Sequence, residues 1–483
     1  MKNFANMTYG TSVASYRISK DCQVNSFTCE TVLNMKISER IRYVGVNDCE
    51  KSLFEGIWPL PFGISYNSYL IVDKKIALID TIDEGFEVEY LEKIKEEIGS
   101  KVIDYLVINH MEPDHSSLIS LILDIYPGIL VITDAKAVPM LKGYYGLSEE
   151  DVLVVRDGDK LSLGSCELTF QTTPMVHWPE TMMTWLGAEK TLFSGDAFGT
   201  FGALRHGVTD TEFTCGCQPE RNCGCLNEEE CFCEEEMCGE SSGCDYQECD
   251  ENGECTHYCS EGFRHGKADA FEMYRNEMIR YYSNIVGKYG GAVQAAMKKI
   301  SALHVERICG THGPVWEKHV SEVMDLYDRL SRYEAEPGVC IVYGSMYGNT
   351  AEAARDLERE LTELGIPVVL HNLNVENVSS ALRDVFRYNT VCVGSPTYNG
   401  AIFPPVEAFM KAVTSRMVKD RDFFSFGSYT WAAASVRLLN DHASAHGLNI
   451  LHPGISFAQA YSREKCDMKE IAHMIAAGIK SKP

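Results

Sequence analysis

The chain has 483 residues, an ordinary share of apolar (45%) and charged (23%) residues, and a formal charge of −25. That length allows two or three domains, each with its own core. So acidic a balance argues against a nucleic-acid or anionic-membrane partner, because binding phosphate needs clustered Lys and Arg. No apolar run reaches the roughly 18 residues of a membrane span, and the first 30 residues hold no signal-type apolar block; a cytoplasmic protein is expected.

Residues 1–33 lack periodicity and read as an N-terminal extension. From Met35 the pattern turns to short strands in "ERIRYVGV", "ISYNSYLIV" and "KIALIDTI", where Val, Ile and Tyr dominate between polar or glycine breaks. "EGFEVEYLEKIKEEIGS" reads as a helix closed by glycine. The buried-strand run "VIDYLVIN" then ends at His110. Strand patterns at "ILVITD", "LGSCELTFQTTP", "KTLFSGDAFG" and "ALHVERICGTHG" follow, the last three leading to His177, Asp196 and His312. Element ends that deliver ligand-type side chains are the usual place for a site on a layered α/β scaffold.

Between Phe213 and Gly262 the composition changes. Fourteen acidic residues stand against one arginine, a net of −13, and eleven of the chain's 19 cysteines fall between Cys215 and Cys259. Apolar residues are too few there for a core, so the stretch reads as an insertion in the first domain. In a reducing cytosol such cysteines point to metal or redox chemistry before disulfides. The spacings are mostly C-x-C, without the CxxC pairs of a rubredoxin. An additional metal, an electron relay, a metal buffer and a partner-docking segment stay open.

"SRYEAEPG", 331–338, reads as a linker. After it, strands at "VCIVYG", "IPVVLHNL", "NTVCVGS" and "FFSFGS" alternate with helix-like segments, the pattern of a doubly wound parallel sheet.

"NHMEPDHSS", 109–117, carries the densest chemistry. Alternate residues of an extended stretch point the same way, so one loop is expected to aim His110, Glu112 and Asp114 at a common centre. His177, Asp196 and His312 complete six ligands. Three carboxylates suit two metals bridged by one of them, with Asp196 the candidate bridge. Glu112, where zinc hydrolases have histidine, adds a hard, negative donor that favours iron or manganese and a higher oxidation state. His115 is read as a group that orients a ligand, or as exposed, and is not counted as a ligand.

"YGSMYGNT", 343–350, follows a strand and precedes a helix. Ser345, Asn349 and Thr350 offer side-chain donors, and helix-start amides face an anion. The Walker lysine is missing, which suits a mononucleotide phosphate. "GSPTYNG" (394–400) and "GSYTW" (427–431) line the same crevice, and Tyr398, Tyr429 or Trp431 could flank a flat ring.

As a set, the His110-x-Glu112-x-Asp114 motif, "VHWPET", "FSGDAFGTFG", "THGPVW", "SMYGNT" and "GSPTYNG" resemble the flavodiiron proteins. The resemblance implies an αββα metallo-β-lactamase-like sandwich over residues 34–330, then a flavodoxin-like doubly wound sheet over 339–483. It implies a non-haem diiron site that reduces O2 to water or NO to N2O. It also implies FMN contacts from Ser345, Met346, Tyr347, Gly348, Asn349, Thr350, Ser395, Pro396, Thr397, Tyr398, Asn399, Gly400, Ser428, Tyr429 and Trp431. An electron-donor protein or flavin reductase, and a head-to-tail homodimer or dimer of dimers, follow from the same likeness. The extension and the insertion lie outside the basic family pattern, and Glu55 stands where many relatives have a histidine near the metal pocket. The competing readings are a zinc hydrolase fused to a flavodoxin and a metal-storage or sensor protein.

Overall fold

The computed structural model describes residues 35–205, 207–213 and 270–481. The N-terminal extension and nearly all of the cysteine-rich insertion lie outside them, and so do the expectations about their metals. No helix among the described residues is long and apolar enough to cross a membrane.

Two sheets form the first half. One has six strands in the order Ile41–Tyr43, Tyr69–Val72, Ile76–Ile79, Tyr105–Val107, Leu130–Asp134 and Val152–Val155. The other has five: Lys160–Ser162, Glu167–Thr172, Met182–Leu186, Thr191–Gly195 and Arg307–Gly310. Strand alternation explains how they stack. Tyr69, Ile71, Ala77 and Ile79 turn inward to meet Leu168, Phe170, Met182 and Phe193 in one buried cluster. The intervening Leu70, Ile76 and Leu78 turn outward, where Tyr90, Ile94 and Ile98 of the helix Glu87–Ile98 cover them. Helices thus coat both outer faces, as the αββα arrangement requires.

The second half is a parallel sheet in the order Val368–Asn372, Glu336–Tyr343, Tyr388–Gly394, Asp422–Tyr429, with Asn449–Ile450 and Ile455–Ala458 both on the last strand. This is the flavodoxin-like order, with its switch point beside the first strand. Helices Asn349–Glu363 and Met468–Ser481 cover one face through Leu357, Leu361, Ile471 and Ile475. Helices Val378–Arg387 and Pro404–Ser415 cover the other through Leu382, Val385, Phe409 and Val413.

The expected linker is shorter than 331–338. Ser331 ends the helix Val320–Ser331, and the strand already begins at Glu336. Arg275 and Arg387 pair with the Glu336 carboxylate, which fixes that polar residue in the sheet rather than in a connector.

Candidate metal centre and flavin crevice

The strand Tyr105–Val107 ends just before Asn109, whose backbone N–H and side-chain amide donate to Asp80 at 2.7 and 3.0 Å. This brace sets the direction in which His110 leaves the sheet. Glu112 is still extended (φ −60°, ψ 138°) because it precedes a proline. Pro113 then opens the short helix Pro113–Ser116, a position where its missing N–H costs nothing.

That turn corrects the expectation of one common centre. Extended alternation stops at Glu112, and Asp114 and His115 project from a helical turn instead. The ligand-type side chains form two groups: His110, Glu112, His177 and Asp196, and Asp114, His115 and His312. Within each group one ligand atom per residue lies within 4.8 Å of every other. His177 Nε2 sits 2.9 Å from Asp196 Oδ2 and 3.1 Å from Glu112 Oε2. His115 Nε2 sits 3.0 Å from the other Asp196 oxygen, and both His115 and His312 Nε2 lie 3.3 Å from Asp114 Oδ2. Asp196 therefore faces both groups. His115 is fully buried, contrary to its reading as exposed, and stands among the ligand-type donors, where it was not counted. The signal for it was Pro113, which forecasts the helical turn.

Two partners orient the rings. His110 Nδ1 lies 2.9 Å from Glu180 Oε1, and His312 Nδ1 lies 2.7 Å from the Ser65 carbonyl. Each leaves Nε2 aimed into the centre, as ligating histidines require. Sequence reading missed Glu180, although it sits in the quoted "VHWPET" stretch. It also missed Tyr281, whose buried hydroxyl has no hydrogen-bond partner among the described residues and lies within electrostatic reach of the Asp196, Glu112 and Asp114 carboxylates. Phe54, Tyr66 and Tyr281 wall the His312 ring at 5.4, 5.8 and 5.5 Å. At the pocket edge, Glu55 accepts from Trp58 Nε1 at 2.9 Å. Burial and then the nearby Glu112 carboxylate push its carboxyl up.

The electrostatics call for positive charge. Burial would raise Asp196, but His110, His115 and His177 hold it well below the usual carboxylate range. Burial would lower His115 and His177, yet Asp114 and Asp196 carry the first, and Asp196 and Glu112 the second, up to about 9. Both Asp114 oxygens and His312 Nε2 are buried without a hydrogen-bond partner among the described residues. Buried polar atoms are rarely left so, and four imidazoles with three carboxylates and no thiolate make a donor set that fits a pair of iron or manganese ions.

In the second domain, Gly348 (φ 88°) turns the chain into the helix Asn349–Glu363, so the first amides of that helix face the loop 343–350. Thr350 and Ser428 hydroxyls lie 3.0 Å apart and tie this loop to the end of the strand Asp422–Tyr429. Thr397 accepts from the amides of Ala434 and Ser435 at 3.1 and 3.2 Å, joining the remaining loop to them. Asn399 (φ 50°) and Gly400 (φ 73°) make the tight turn between strands Thr397–Tyr398 and Ala401–Ile402, an Asn-Gly hairpin signal that sequence reading passed over. Tyr347 and Trp431 stand 89% and 88% exposed at the rim. One expected ligand contact is otherwise engaged. Ser395 is fully buried, with its hydroxyl bonded to Phe403 N and Pro396 O and its backbone to Phe426 and Ser435. Asn349 Oδ1 accepts from Tyr461 N.

Fold and site together define a two-domain protein, in which a β-lactamase-type sandwich with a metal-type cluster precedes a flavodoxin-type domain. The family model "ODP family beta lactamase" matches residues 64–215 and the "Flavodoxin" model residues 341–470. An uncharacterised protein of Methanocaldococcus jannaschii is 29% identical over 86% of this chain and 91% of its own length. The anaerobic nitric oxide reductase flavorubredoxin of Vibrio vulnificus is 27% identical over 84% of this chain and 72% of its own. Among solved structures, rubredoxin oxygen:oxidoreductase from Desulfovibrio gigas superposes with a TM-score of 0.76 at 24% identity, covering 92% of this chain and 98% of that one. The flavodiiron protein from Giardia intestinalis gives 0.75 at 22%, covering 93% and 98%. The chain thus carries the two domains these models describe, in the same order, and is similar to the flavodiiron and flavorubredoxin proteins along most of its length.

Proposed function

We propose that the chain is an oxidoreductase that reduces O2 to water, NO to N2O, or both, at a diiron centre fed through FMN. One observation carries this reading: a single carboxylate, Asp196, faces His177 at 2.9 Å with one oxygen and His115 at 3.0 Å with the other. A carboxylate so placed would be able to hold two metals at once.

His110, Glu112 and His177 would hold one metal, Asp114, His115 and His312 the other, and Asp196 both. Bound iron and FMN supply the electrons for reduction of the gas. Glu180 and the Ser65 carbonyl keep the His110 and His312 rings pointed at the centre. The aromatic wall of Phe54, Tyr66 and Tyr281 excludes water from that side. The loops 343–350, 394–400 and 428–431 would seat the flavin, with helix-start amides on its phosphate and Tyr398 or Trp431 beside its ring. The reading includes a head-to-tail homodimer, or a dimer of dimers, in which one subunit's flavin serves the other's metals, and a separate electron-donor protein or flavin reductase. The relatives' names bring both gases into the reading, as nitric oxide reductase and as rubredoxin oxygen:oxidoreductase.

The test is metal and flavin analysis, followed by anaerobic reduction and separate pulses of O2 and NO. Two irons and one FMN per chain, with stoichiometric gas consumption, support the reading. Zinc in place of iron would turn it toward hydrolysis. Reversible metal loading with no gas uptake would turn it toward storage.

A further inference from the structure

We propose that His371 is a positioning residue for the flavin: held between two carboxylates, it anchors the loop that clamps the backbone of Ser345 in the phosphate-binding turn. The inference rests on reading residues 343–350 as the turn that receives the FMN phosphate.

His371 lies on the strand Val368–Asn372 and is 6% exposed. Its Nε2 is 2.8 Å from Asp384 Oδ2 on the helix Val378–Arg387, and its Nδ1 is 2.8 Å from Glu376 Oε2. A neutral imidazole has a hydrogen on only one nitrogen, so one of these contacts would set lone pair against lone pair. With both carboxylates ionised, both contacts are satisfied only by the imidazolium. Arg383 holds Asp384 through Nε and Nη2 at 3.0 and 2.8 Å, which keeps that carboxylate charged and in place.

The network then leaves the interior. The second Glu376 oxygen accepts from Asn372 N at 3.0 Å. Asn372 Oδ1 accepts from Asn374 N at 3.1 Å. Asn374 grips Ser345 at two points: its Oδ1 accepts from Ser345 N and its Nδ2 donates to Ser345 O, each at 2.8 Å. A chain of polar contacts thus runs from a buried cation to the residue where the phosphate turn leaves its strand. Buried ion clusters are costly and are a poor source of net stability. Their better-attested use is to fix one geometry among several, and here the geometry fixed is that of residues 344–346. The titratable and charged groups around the imidazole are Glu376 on its own loop, Asp384 and Arg383 on the covering helix, and the buried Cys340 thiol on the neighbouring strand. Glu277 lies beyond, facing Arg383.

The experiment strips flavin from the full chain and titrates it with FMN and, separately, with riboflavin, which lacks the phosphate, following flavin fluorescence. His371→Gln and Asn374→Ala should each weaken FMN about tenfold, the scale of one charge-assisted contact, and leave riboflavin nearly unchanged. The double variant should lose no more than either single variant, because both cut one chain. Equal losses for FMN and riboflavin would overturn the proposal, since a merely structural histidine would weaken both. Additive losses would overturn it too. Asn374 is exposed, so its variant keeps the test open if the histidine variant does not fold. Failure of the unmodified chain to take up FMN would strike the flavin reading itself. Uptake with an unchanged FMN-to-riboflavin ratio in the variants would strike this inference alone.

Discussion

Glu180 Oε1 lies 2.9 Å from Nδ1 of His110 and also accepts the N–H of Met111 at 3.0 Å, so one carboxylate sets both the ring and the backbone that presents it. Removing such an orienting partner typically costs 10–100-fold in metal affinity. Glu180→Ala should lose iron during dialysis against a chelator at concentrations the parent protein survives. Flavin content should stay the same, because the flavin loops are in the other domain.

Asp196 is the residue whose two oxygens face different histidine groups. Asp196→Asn keeps the shape but removes the charge and one acceptor oxygen. Iron should fall from two to one or fewer per chain, and gas reduction should drop to background. Two tightly held irons with full turnover in this variant would remove the bridging role.

Glu112 faces both His110 and His177 in the first group. Glu112→His replaces a hard oxygen donor by imidazole, which shifts the preference toward zinc. Metal analysis after growth with both metals should show zinc enriched, with oxidase activity lost. Full oxidase turnover with iron still bound would contradict the account of this glutamate.

Tyr281 buries a hydroxyl that no group among the described residues satisfies. Tyr281→Phe should therefore leave thermal stability unchanged, or raise it by about 1 kcal/mol, since an unmet polar group is removed. Turnover of O2 or NO should fall if the hydroxyl serves the bound gas. A destabilised protein with normal turnover would assign Tyr281 to packing alone.

Burial would lower His371, but Asp384 and Glu376 hold it above the ordinary histidine value. A histidine raised on folding contributes stability that is fully present below its unfolded value, roughly 6.5, and is lost as pH rises through the folded value. The difference in denaturant stability between the parent and His371→Gln should therefore be largest near about pH 6 and shrink toward alkaline pH. A difference that grows with pH would mean the ring is neutral in the fold.

Much of the fold was legible because strands and turns are local. "ILVITD" became Leu130–Asp134 and "KTLFSGDAFG" became Thr191–Gly195, both largely buried, with Ile132 and Phe193 in the core between the sheets and Val131 and Leu192 in the core on the other side. The six expected metal-type residues all fall in the two donor groups, four in one and two, with His115, in the other. The miss at His115 was also local in origin. An extended reading was carried past Pro113, where a proline at the start of a helix changes the side-chain period from two to 3.6. Ser395 was expected to touch the flavin from the family likeness, but its hydroxyl, N–H and carbonyl are bonded within the protein, to Phe403, Pro396, Phe426 and Ser435.

By itself the sequence determined which donors are present, which strand ends carry them and where a phosphate could meet a helix start, since these depend on chemistry and nearest neighbours. Only the tertiary structure decided that the donors divide into two groups, that Asp196 reaches both and that Glu180 and Ser65 aim the rings. Those relations join residues far apart in the chain. Their distances are set by how two sheets stack through Ile71, Phe170 and Phe193, a packing that no short stretch encodes.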